Sequence, residues 1–255
     1  MTNSRISWVQ KKYAEGVIVN AKMSGDKTLN LVDQSILETM AFELKKILEI
    51  DNLRCVFLSG SSDKAFIGGA NLKSLNALEV ATAEKFISSI HHFCETILHA
   101  RVPVIAVLKG YCLGAGLEIA ASCDFRIGDS SVFCGMPEVR VGVPSVVEAV
   151  LLPELVGWGK ARELMLRGNI IDAKECQRIG LIEHLEDGEK LNVLLNEITA
   201  DILSGGPEAI ASQKLLFRDW KGSQYDNAIR SGVDAFVKAY ETEEPKIKIN
   251  NFFND

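Results

Sequence analysis

Short apolar runs alternate with amphipathic stretches along the chain up to Leu151. Apolar residues recur every three or four positions after Asp33 and from Thr82, which predicts a helix capped by Asp33 and a second helix that starts at Thr82. The runs predicted as strands are Val17–Val19, Cys55–Leu58, Pro103–Leu108 and Asp124–Ile127. Strands that alternate with helices favour an α/β fold class with largely parallel strands.

From Leu151 onward the pattern becomes mostly helical. Gly205-Gly206-Pro207 predicts a break in this region, followed by a helix at Glu208–Phe217. We therefore predict two parts. The first is a core at residues 1–195 that carries the functional site, and the second is a helical C-terminal region at residues 196–255.

Composition narrows the function class. A chain of 255 residues with 47% hydrophobic and 24% charged residues is typical of a globular protein. Its net charge of −6 argues against nucleic acid as a partner, because phosphate binding requires a basic face. The N-terminus lacks the apolar core of a secretory signal, and the longest uncharged run, Phe86–Cys94, is too short to cross a membrane. We expect a cytoplasmic protein without a membrane partner.

The cysteines and histidines show no metal-binding spacing. The six cysteines include no C-x-x-C pair, and several lie within apolar runs, which favours buried thiols in a reducing compartment. His92 and His99 share one face of a predicted helix, and a solvated or interface face is the simpler interpretation. We predict no metal site.

Two glycine-rich turns are the strongest candidates for chemistry. Phe66–Leu72 follows one predicted strand, and Gly114-Ala115-Gly116 follows another and opens a helix. Small residues let a ligand approach backbone N–H groups, and two such groups aimed at one oxygen form an oxyanion hole. Taken alone, either segment could equally be an ordinary tight turn.

Two glutamates stand near the second turn. Glu118 lies in the first turn of a largely apolar helix, which favours an inward-facing acid, although an acid there also stabilises the helix dipole. Glu138 follows Pro137 in a later loop, where it could be a solvated acid paired with Arg140. Placed together beside an oxyanion hole, the two would suit general acid–base catalysis.

Other catalytic motifs are absent from the sequence. Gly114-x-Gly116 resembles the start of a dinucleotide fingerprint, but Ile119 occupies the position where a small residue is needed. The sequence contains neither a G-x-S-x-G nucleophile elbow nor a G-x-x-x-x-G-K-[ST] phosphate-binding loop.

Together these motifs resemble the crotonase superfamily, the enoyl-CoA hydratase/isomerase family, over nearly the whole chain. The matching segments are Lys27–Asn30, Lys64–Lys73, Pro103–Ala106, Gly110–Glu118, Cys123-Asp124, Phe133–Gly142 and Gly180–Glu183. The resemblance implies a right-handed superhelix of ββα units with a helical C-terminal region. It also implies assembly as a homotrimer or as a hexamer of two trimers.

The resemblance also implies a site for an acyl-CoA thioester. The backbone N–H groups of Ala70 and Ala115 would hold the thioester oxygen. Glu118 would help to activate water and Glu138 would deliver a proton, as a coupled pair. The positions expected to bind substrate are Thr28, Leu29, Gly68, Asn71, Leu72, Tyr111, Gly114, Pro137 and Ser145. No cofactor is expected, since coenzyme A is part of the substrate.

Several positions depart from the family pattern. Asn71 stands where aspartate is frequent, and Ala115 replaces the middle glycine of a usual triplet. A usually glycine-rich run is Ser145–Ala149 here, and it supplies an additional acid, Glu148. The C-terminus lacks the basic pair that often meets CoA phosphates. These changes leave the acyl-chain specificity and the CoA affinity open.

Three functions follow from the sequence. The first is an enoyl-CoA hydratase, and the second is another reaction of the superfamily: double-bond isomerisation, thioester hydrolysis or decarboxylation. The third is a non-catalytic RNA-binding homologue, which the acidic charge and the intact glutamate pair disfavour. Some apolar residues of the C-terminal part are expected to pack between subunits: Leu164, Met165, Leu166, Leu194, Leu195, Leu215, Leu216, Phe217, Phe252 and Phe253.

Overall fold

The computed structural model describes residues 4–254, and their side chains except at 218–228, 231, 232, 235, 238, 239, 244, 248, 251 and 252. The strands are β1 (Ile6–Tyr13), β2 (Gly16–Met23), β3 (Leu53–Gly60), β4 (Ala65–Ile67), β5 (Val104–Leu108), β6 (Tyr111–Leu113), β7 (Phe125–Gly128), β8 (Phe133–Gly135), β9 (Ile170–Asp172) and β10 (His184–Leu185). The helices are α1 (Gln34–Leu48), α2 (Leu72–Asn76), α3 (Val80–Leu98), α4 (Ala115–Ser122), α5 (Leu152–Arg167), α6 (Ala173–Arg178), α7 (Gly188–Ser204), α8 (Pro207–Ala239) and α9 (Glu244–Asn254). Two short 3₁₀ helices span Pro137–Val141 and Val147–Leu151.

The strands form two sheets. The first has six strands in the order β1-β2-β3-β5-β7-β10, and the second has four in the order β4-β6-β8-β9. The β1–β2 hairpin and the β8–β9 pair are antiparallel, and the other neighbours are parallel. This arrangement confirms the predicted α/β class with largely parallel strands.

A repeating unit relates the two sheets. β3, β5 and β7 lie in the first sheet, and each is followed along the chain by a strand of the second sheet, namely β4, β6 or β8. A helix follows each such pair: α2 and α3 after β4, α4 after β6, and a 3₁₀ helix after β8. Because each unit adds one parallel strand to both sheets, the segments that follow the short strands come together at one side of the molecule.

The predicted helices of the N-terminal part are confirmed. Asp33 caps α1, since its side chain accepts a hydrogen bond from Ile36 N, and the predicted apolar face is buried. The helix α3 begins at Val80 rather than at Thr82. Glu79 is the N-cap residue, and Thr82 is the third residue of the helix, where it forms a capping box with Glu79. Its buried face contains Phe86, Ile90, Phe93 and Ile97, which recur at the predicted spacing of three or four positions.

The C-terminal helices pack back onto this core. Phe236 of α8 stacks on Phe86 of α3, with the ring centroids 6.1 Å apart. The Tyr240 hydroxyl donates a hydrogen bond of 3.1 Å to the carbonyl oxygen of Leu75. The predicted division between residues 195 and 196 lies within α7, and it stays a prediction. Within the described part of the chain, no helix has both the length and the apolar character needed to cross a membrane.

A buried arginine fixes the region beneath α4. Arg126 donates hydrogen bonds to the carbonyl oxygens of Ala120, Cys123 and Leu181, and its guanidinium also pairs with Glu183. Because four partners satisfy this buried cation, the C-terminal end of α4 is tied to the segment that leads into β10. All six cysteines are buried and free, as expected of buried thiols.

Candidate active site

A cavity of about 580 Å³ opens where the glycine-rich segments meet. It is bordered by the loop before α1, the turn after β4, the helix α3, the start of α4, the 3₁₀ helix Pro137–Val141 and the C-terminal helices. The predicted site residues that line it are Leu29, Gly68, Ala70, Asn71, Leu72, Gly114, Ala115, Glu118, Pro137 and Glu138. The structure thus brings ten separately predicted positions to one cavity.

The two glycine-rich turns lie against each other. A Cβ added to Gly116 would overlap the carbonyl oxygen of Ile67 at the end of β4. A Cβ on Gly69 would lie 3.3 Å from the carbonyl oxygen of Leu113, and the φ of Gly69 is +111°. Glycine at these positions therefore allows a close backbone approach that places Ala70 and Ala115 on the same cavity.

The backbone N–H groups of Ala70 and Ala115 are available to a ligand. Ala115 is the first residue of α4, where helical N–H groups have no partner within the helix. Across residues 4–254, neither of these two N–H groups donates to a backbone carbonyl. The positive end of the α4 dipole adds to the attraction for negative charge at this point.

Glu118 is an inward-facing acid. It lies in the first turn of α4, has 3% of its surface exposed, and lines the cavity. Burial raises the pKa of its carboxyl well above the usual range, and the nearby carboxyls of Glu138 and Glu148 raise it further. A hydrogen bond from the backbone of Ala149 acts in the opposite direction and lowers this pKa.

Glu138 borders the same cavity from the 3₁₀ helix Pro137–Val141. Its Oε2 accepts a hydrogen bond of 2.8 Å from Ser145 Oγ. Desolvation raises the pKa of this carboxyl to about 7, although its own backbone N–H and the Ser145 hydroxyl both lower it. Glu138 is therefore held by Ser145 within a desolvated site, and Arg140 is not needed to explain its placement.

Three predicted residues are not among the described residues that line the cavity: Thr28, Tyr111 and Ser145. Thr28 is exposed beside Lys27 and Leu29, which do line it. Tyr111 is 40% exposed and packs against Phe133, with ring centroids 5.7 Å apart. Ser145 contacts Glu138 instead, so the structure places it where it orients a carboxyl.

Asn71 has a local structural role. Its side chain caps α2, because Asn71 Oδ1 accepts a hydrogen bond of 3.0 Å from Lys73 N. Asparagine and aspartate cap helices about equally well, so the departure from the family pattern retains the cap.

The residues that form the far walls of the cavity were not predicted as site residues from the sequence. They are apolar, and they come from α3, from the loop after Val141 and from α8: Phe86, Ile87, Ile90, Val143, Val146 and Phe236. Phe86 and Ile90 lie on the apolar face of the second predicted helix, and the helical period does not distinguish a face that packs in the core from one that lines a cavity. Three cations, Lys27, Lys73 and Arg140, are exposed along the cavity.

The charged residues of the cavity suit an organic anion better than a metal ion. Among the described residues, no group of three His, Cys, Asp or Glu side chains is arranged to hold a metal. The exposed cations instead provide partners for phosphate groups, while the interior offers two carboxyls and apolar walls.

Comparison with known proteins identifies the family. The family model described as enoyl-CoA hydratase/isomerase matches residues 13–253. A crotonyl-CoA hydratase of Syntrophomonas wolfei is 30% identical over 221 residues, which cover 86% of this chain and 85% of that protein. A short-chain-enoyl-CoA hydratase of Clostridium acetobutylicum is 29% identical over 239 residues, which cover 93% of this chain and 92% of that one.

A solved structure shows the same fold. An enoyl-CoA hydratase/isomerase from Xanthobacter autotrophicus superimposes with a TM-score of 0.85 over 100% of this chain and 94% of that one, at 22% identity. This agreement confirms the predicted crotonase-like superhelix of ββα units with a helical C-terminal region. The chain therefore belongs to the enoyl-CoA hydratase/isomerase family, the crotonase superfamily.

Proposed function

We propose that this protein is an enoyl-CoA hydratase, which adds water across the 2,3 double bond of a 2-enoyl-CoA thioester. The observation that carries the proposal is the presence of two carboxyls, Glu118 and Glu138, in one cavity with two available backbone N–H groups. The names of the two relatives described above, both hydratases, support the same reaction.

The backbone donors would stabilise the developing enolate. As the water oxygen attacks C3, negative charge moves to the thioester oxygen. The N–H groups of Ala70 and Ala115 supply hydrogen bonds there, and such preorganised donors are worth about 10²–10³ in rate each. The dipole of α4 favours the same charge.

The two glutamates would act as one unit that holds one proton. Their pKa values are raised together, so between the two titrations one carboxyl is ionised and the other is protonated. The ionised carboxyl accepts a proton from water as the oxygen bonds to C3. The protonated carboxyl delivers its proton to C2, which completes the 3-hydroxyacyl-CoA product.

The lining of the cavity suits an uncharged acyl chain. Its far walls are aliphatic and aromatic, and a charged acyl terminus would lose its hydration there without gaining an ionic partner from those wall residues. The exposed Lys27, Lys73 and Arg140 provide cations for the phosphates of coenzyme A.

Mutation of each glutamate tests the proposal. Glu118→Gln and Glu138→Gln should each lower kcat for crotonyl-CoA hydration by about 10²–10⁴, the usual contribution of acid–base catalysis. The assay follows loss of the conjugated thioester absorbance. Glu38→Gln, which changes an exposed acid on α1, serves as the matched control and should retain full activity.

The same variants separate the alternatives. Isomerisation of a 3-enoyl-CoA needs a single carboxyl to move a proton, so an isomerase would tolerate the loss of one glutamate. Near-normal hydration in either variant would exclude the two-carboxyl mechanism. A wild-type protein that isomerises 3-enoyl-CoA but does not hydrate crotonyl-CoA would replace the proposed reaction.

A further inference from the structure

Asn30 is a buried polar residue in the loop before α1. It has 1% of its surface exposed, and its φ of +57° lies in the left-handed region, which asparagine tolerates better than most residues. Its neighbours Lys27, Leu29 and Leu31 line the cavity, whereas Asn30 is not among the described residues that do so. Its side chain therefore lies behind the cavity wall.

The amide group of Asn30 has a partner for each of its hydrogen-bonding positions. Nδ2 donates to the carbonyl oxygens of Met23, at 3.0 Å, and Phe66, at 2.6 Å. Oδ1 accepts from Gly25 N at 2.6 Å and from Ser61 Oγ at 3.5 Å. An asparagine offers two N–H donors and one carbonyl oxygen with two lone pairs, so this side chain is fully used. It joins the end of β2, the loop before α1, the segment after β3 and the strand β4.

The loop that contains Asn30 pairs with the turn that carries Ala70. Val32 forms a parallel β-bridge with Ala70. Val32 N donates to the carbonyl oxygen of Gly69 at 3.1 Å, and the carbonyl oxygen of Val32 accepts from Asn71 N at 2.7 Å. Both bonds belong to the neighbours of Ala70, so the N–H of Ala70 itself faces away from Val32. The bridge thus fixes the direction of one of the two N–H groups that would hold the thioester oxygen.

Three contacts join the loop to β4 and the turn after it, and they occur at every second residue from Phe66 to Ala70. They connect Asn30 to Phe66, Leu29 to Gly68 and Val32 to Ala70. The bond from Asn30 to the Met23 carbonyl also attaches the loop to the end of β2, which pairs with β3 in the first sheet. The contacts of Leu29 and Val32 are between backbone atoms, so loss of the Asn30 side chain would loosen the pairing without abolishing it.

We propose that Asn30 is a positioning residue for the oxyanion hole. Its amide group holds the loop before α1 in the place where that loop orients the N–H of Ala70. Asn30 does not touch the substrate. The proposal rests on the proposed function for the thioester oxygen and for the effect on turnover, whereas the order that Asn30 imposes on the turn exists in the ligand-free protein.

Two substitutions remove the donors of Asn30. Asn30→Asp retains the size of the side chain and the tolerance of a positive φ, but a carboxylate cannot donate to the carbonyl oxygens of Met23 and Phe66. Asn30→Gly retains the backbone conformation and removes the whole side chain. Asn52→Asp and Asn52→Gly are the matched controls, because Asn52 is exposed and has a φ of +55°.

Amide hydrogen exchange of the ligand-free protein tests the pairing without any reaction. The N–H groups of Val32, Gly68 and Asn71 report it, since each donates across the pairing. They should exchange roughly tenfold faster in both Asn30 variants than in the wild type, and at the wild-type rate in both Asn52 variants. The buried strand β5, which is central in the first sheet, reports global unfolding and corrects for any change in overall stability.

A bound thioester provides the second readout. The probe is butyryl-CoA labelled with ¹³C at the thioester carbonyl, which has no double bond and cannot be hydrated. Hydrogen bonds weaken a carbonyl bond, so the wild type should lower its infrared stretching frequency relative to water, and the Asn30 variants should lower it less. Per folded protein, kcat for crotonyl-CoA should fall about 10–10²-fold, less than the roughly 10²–10³ caused by removal of a whole donor. KM should change less than kcat, because the oxygen gains its charge only in the transition state.

Two results would overturn the inference. One is wild-type exchange at Val32, Gly68 and Asn71 in folded Asn30→Gly, with folding established by circular dichroism. The other is a wild-type carbonyl frequency in an Asn30 variant that binds butyryl-CoA. If Asn30→Asp does not fold, Asn30→Gly decides alone. A wild type that neither binds butyryl-CoA nor hydrates crotonyl-CoA would reject the proposed function, and the exchange rates would still decide whether Asn30 orders the turn.

Discussion

Gly114 occupies a position where the carboxyl of Glu138 leaves no room for a side chain. A Cβ there would overlap Glu138 Oε1, and the φ of +51° is unfavourable for other residues. We therefore expect Gly114→Ala to displace the Glu138 carboxyl and to lower kcat by roughly 10²-fold, since a small misplacement of a reacting group is costly. Steady-state kinetics with crotonyl-CoA measure this loss.

Gly159 offers a control for the glycine substitution. A Cβ added at Gly159 meets no atom within 4 Å, and the residue lies in α5, where alanine is the better helix former. Gly159→Ala should keep full activity and unfold at the same or a higher urea concentration. Equal activity in the two variants would show that the space beside Glu138 is not needed.

Ser145 tunes the acid that it contacts. Its hydroxyl lowers the pKa of Glu138, which burial has raised to about 7. In the proposed mechanism one carboxyl must be ionised, so kcat/KM should rise as the pH increases through about 7. Ser145→Ala removes the donor, raises this pKa and should move the acidic limb to higher pH. An unchanged or downward-shifted limb would contradict the role of Ser145.

Single residues also show what the sequence could and could not predict. Glu118 and Glu138 were identifiable because each belongs to a motif of fixed local spacing. The contact of Ser145 with Glu138, and that of His91 with Glu148 across 57 positions, depend on packing between segments that no local pattern records. Val147 has a positive φ, although valine is a residue type that favours strands, so its backbone conformation could not be predicted from the sequence.

Among the elements, the short strands of the second sheet were the hardest to predict. β4, β6, β8 and β9 have three residues each, so none is long enough to show a period. β1 is longer, but seven of its eight residues are exposed. Because neither face is buried, its sequence does not alternate between apolar and polar residues. The strands β3 and β5 were predicted because they are buried on both faces and therefore form continuous apolar runs. The helices α1 and α3 were predicted because each buries one apolar face.

The helix α8 contributes Phe236 to the apolar wall of the cavity, and mutation can remove this side chain. Phe236 is 3% exposed, lines the cavity, and lies between Phe86 and Tyr240, with the two ring centroids 6.1 and 5.3 Å away. Phe236→Ala should enlarge the apolar end of the cavity. We expect the ratio of kcat/KM for 2-octenoyl-CoA to that for crotonyl-CoA to rise on the order of tenfold.

The matched control for this change is Phe42→Ala, because Phe42 is 60% exposed on α1 and is not among the described residues that line the cavity. Its specificity ratio should equal that of the wild type. A ratio that stays constant in Phe236→Ala as well would indicate that the acyl chain does not reach α8.

At the scale of the whole molecule, exposed apolar side chains indicate assembly. Of the residues expected to pack between subunits, Leu166, Leu215, Leu216, Phe217 and Phe253 are at least 44% exposed in the single chain. Leu164 is buried within the chain, and the side chain of Phe252 lies outside the described residues. Trp158 adds a further ring that is 64% exposed. A surface of this kind is typical of a subunit interface.

We expect a homotrimer or a hexamer in solution. With a chain mass of 28.0 kDa, the species would have masses of about 84 or 168 kDa, which light scattering on a size-exclusion column distinguishes. Leu216→Glu should shift the distribution towards monomer, because a charge at an apolar interface costs hydration. A wild-type protein that elutes as a monomer and still hydrates enoyl-CoA would show that assembly is dispensable.

The walls of the cavity come from almost the full length of the chain, from Lys27 to Phe253. Both carboxyls and both glycine-rich turns precede Leu151, whereas Phe236 and Phe253 belong to α8 and α9. Local unfolding of these two helices would therefore open the cavity and leave both carboxyls in place. A ligand that contacts the two phenylalanines should accordingly slow amide hydrogen exchange in α8 and α9.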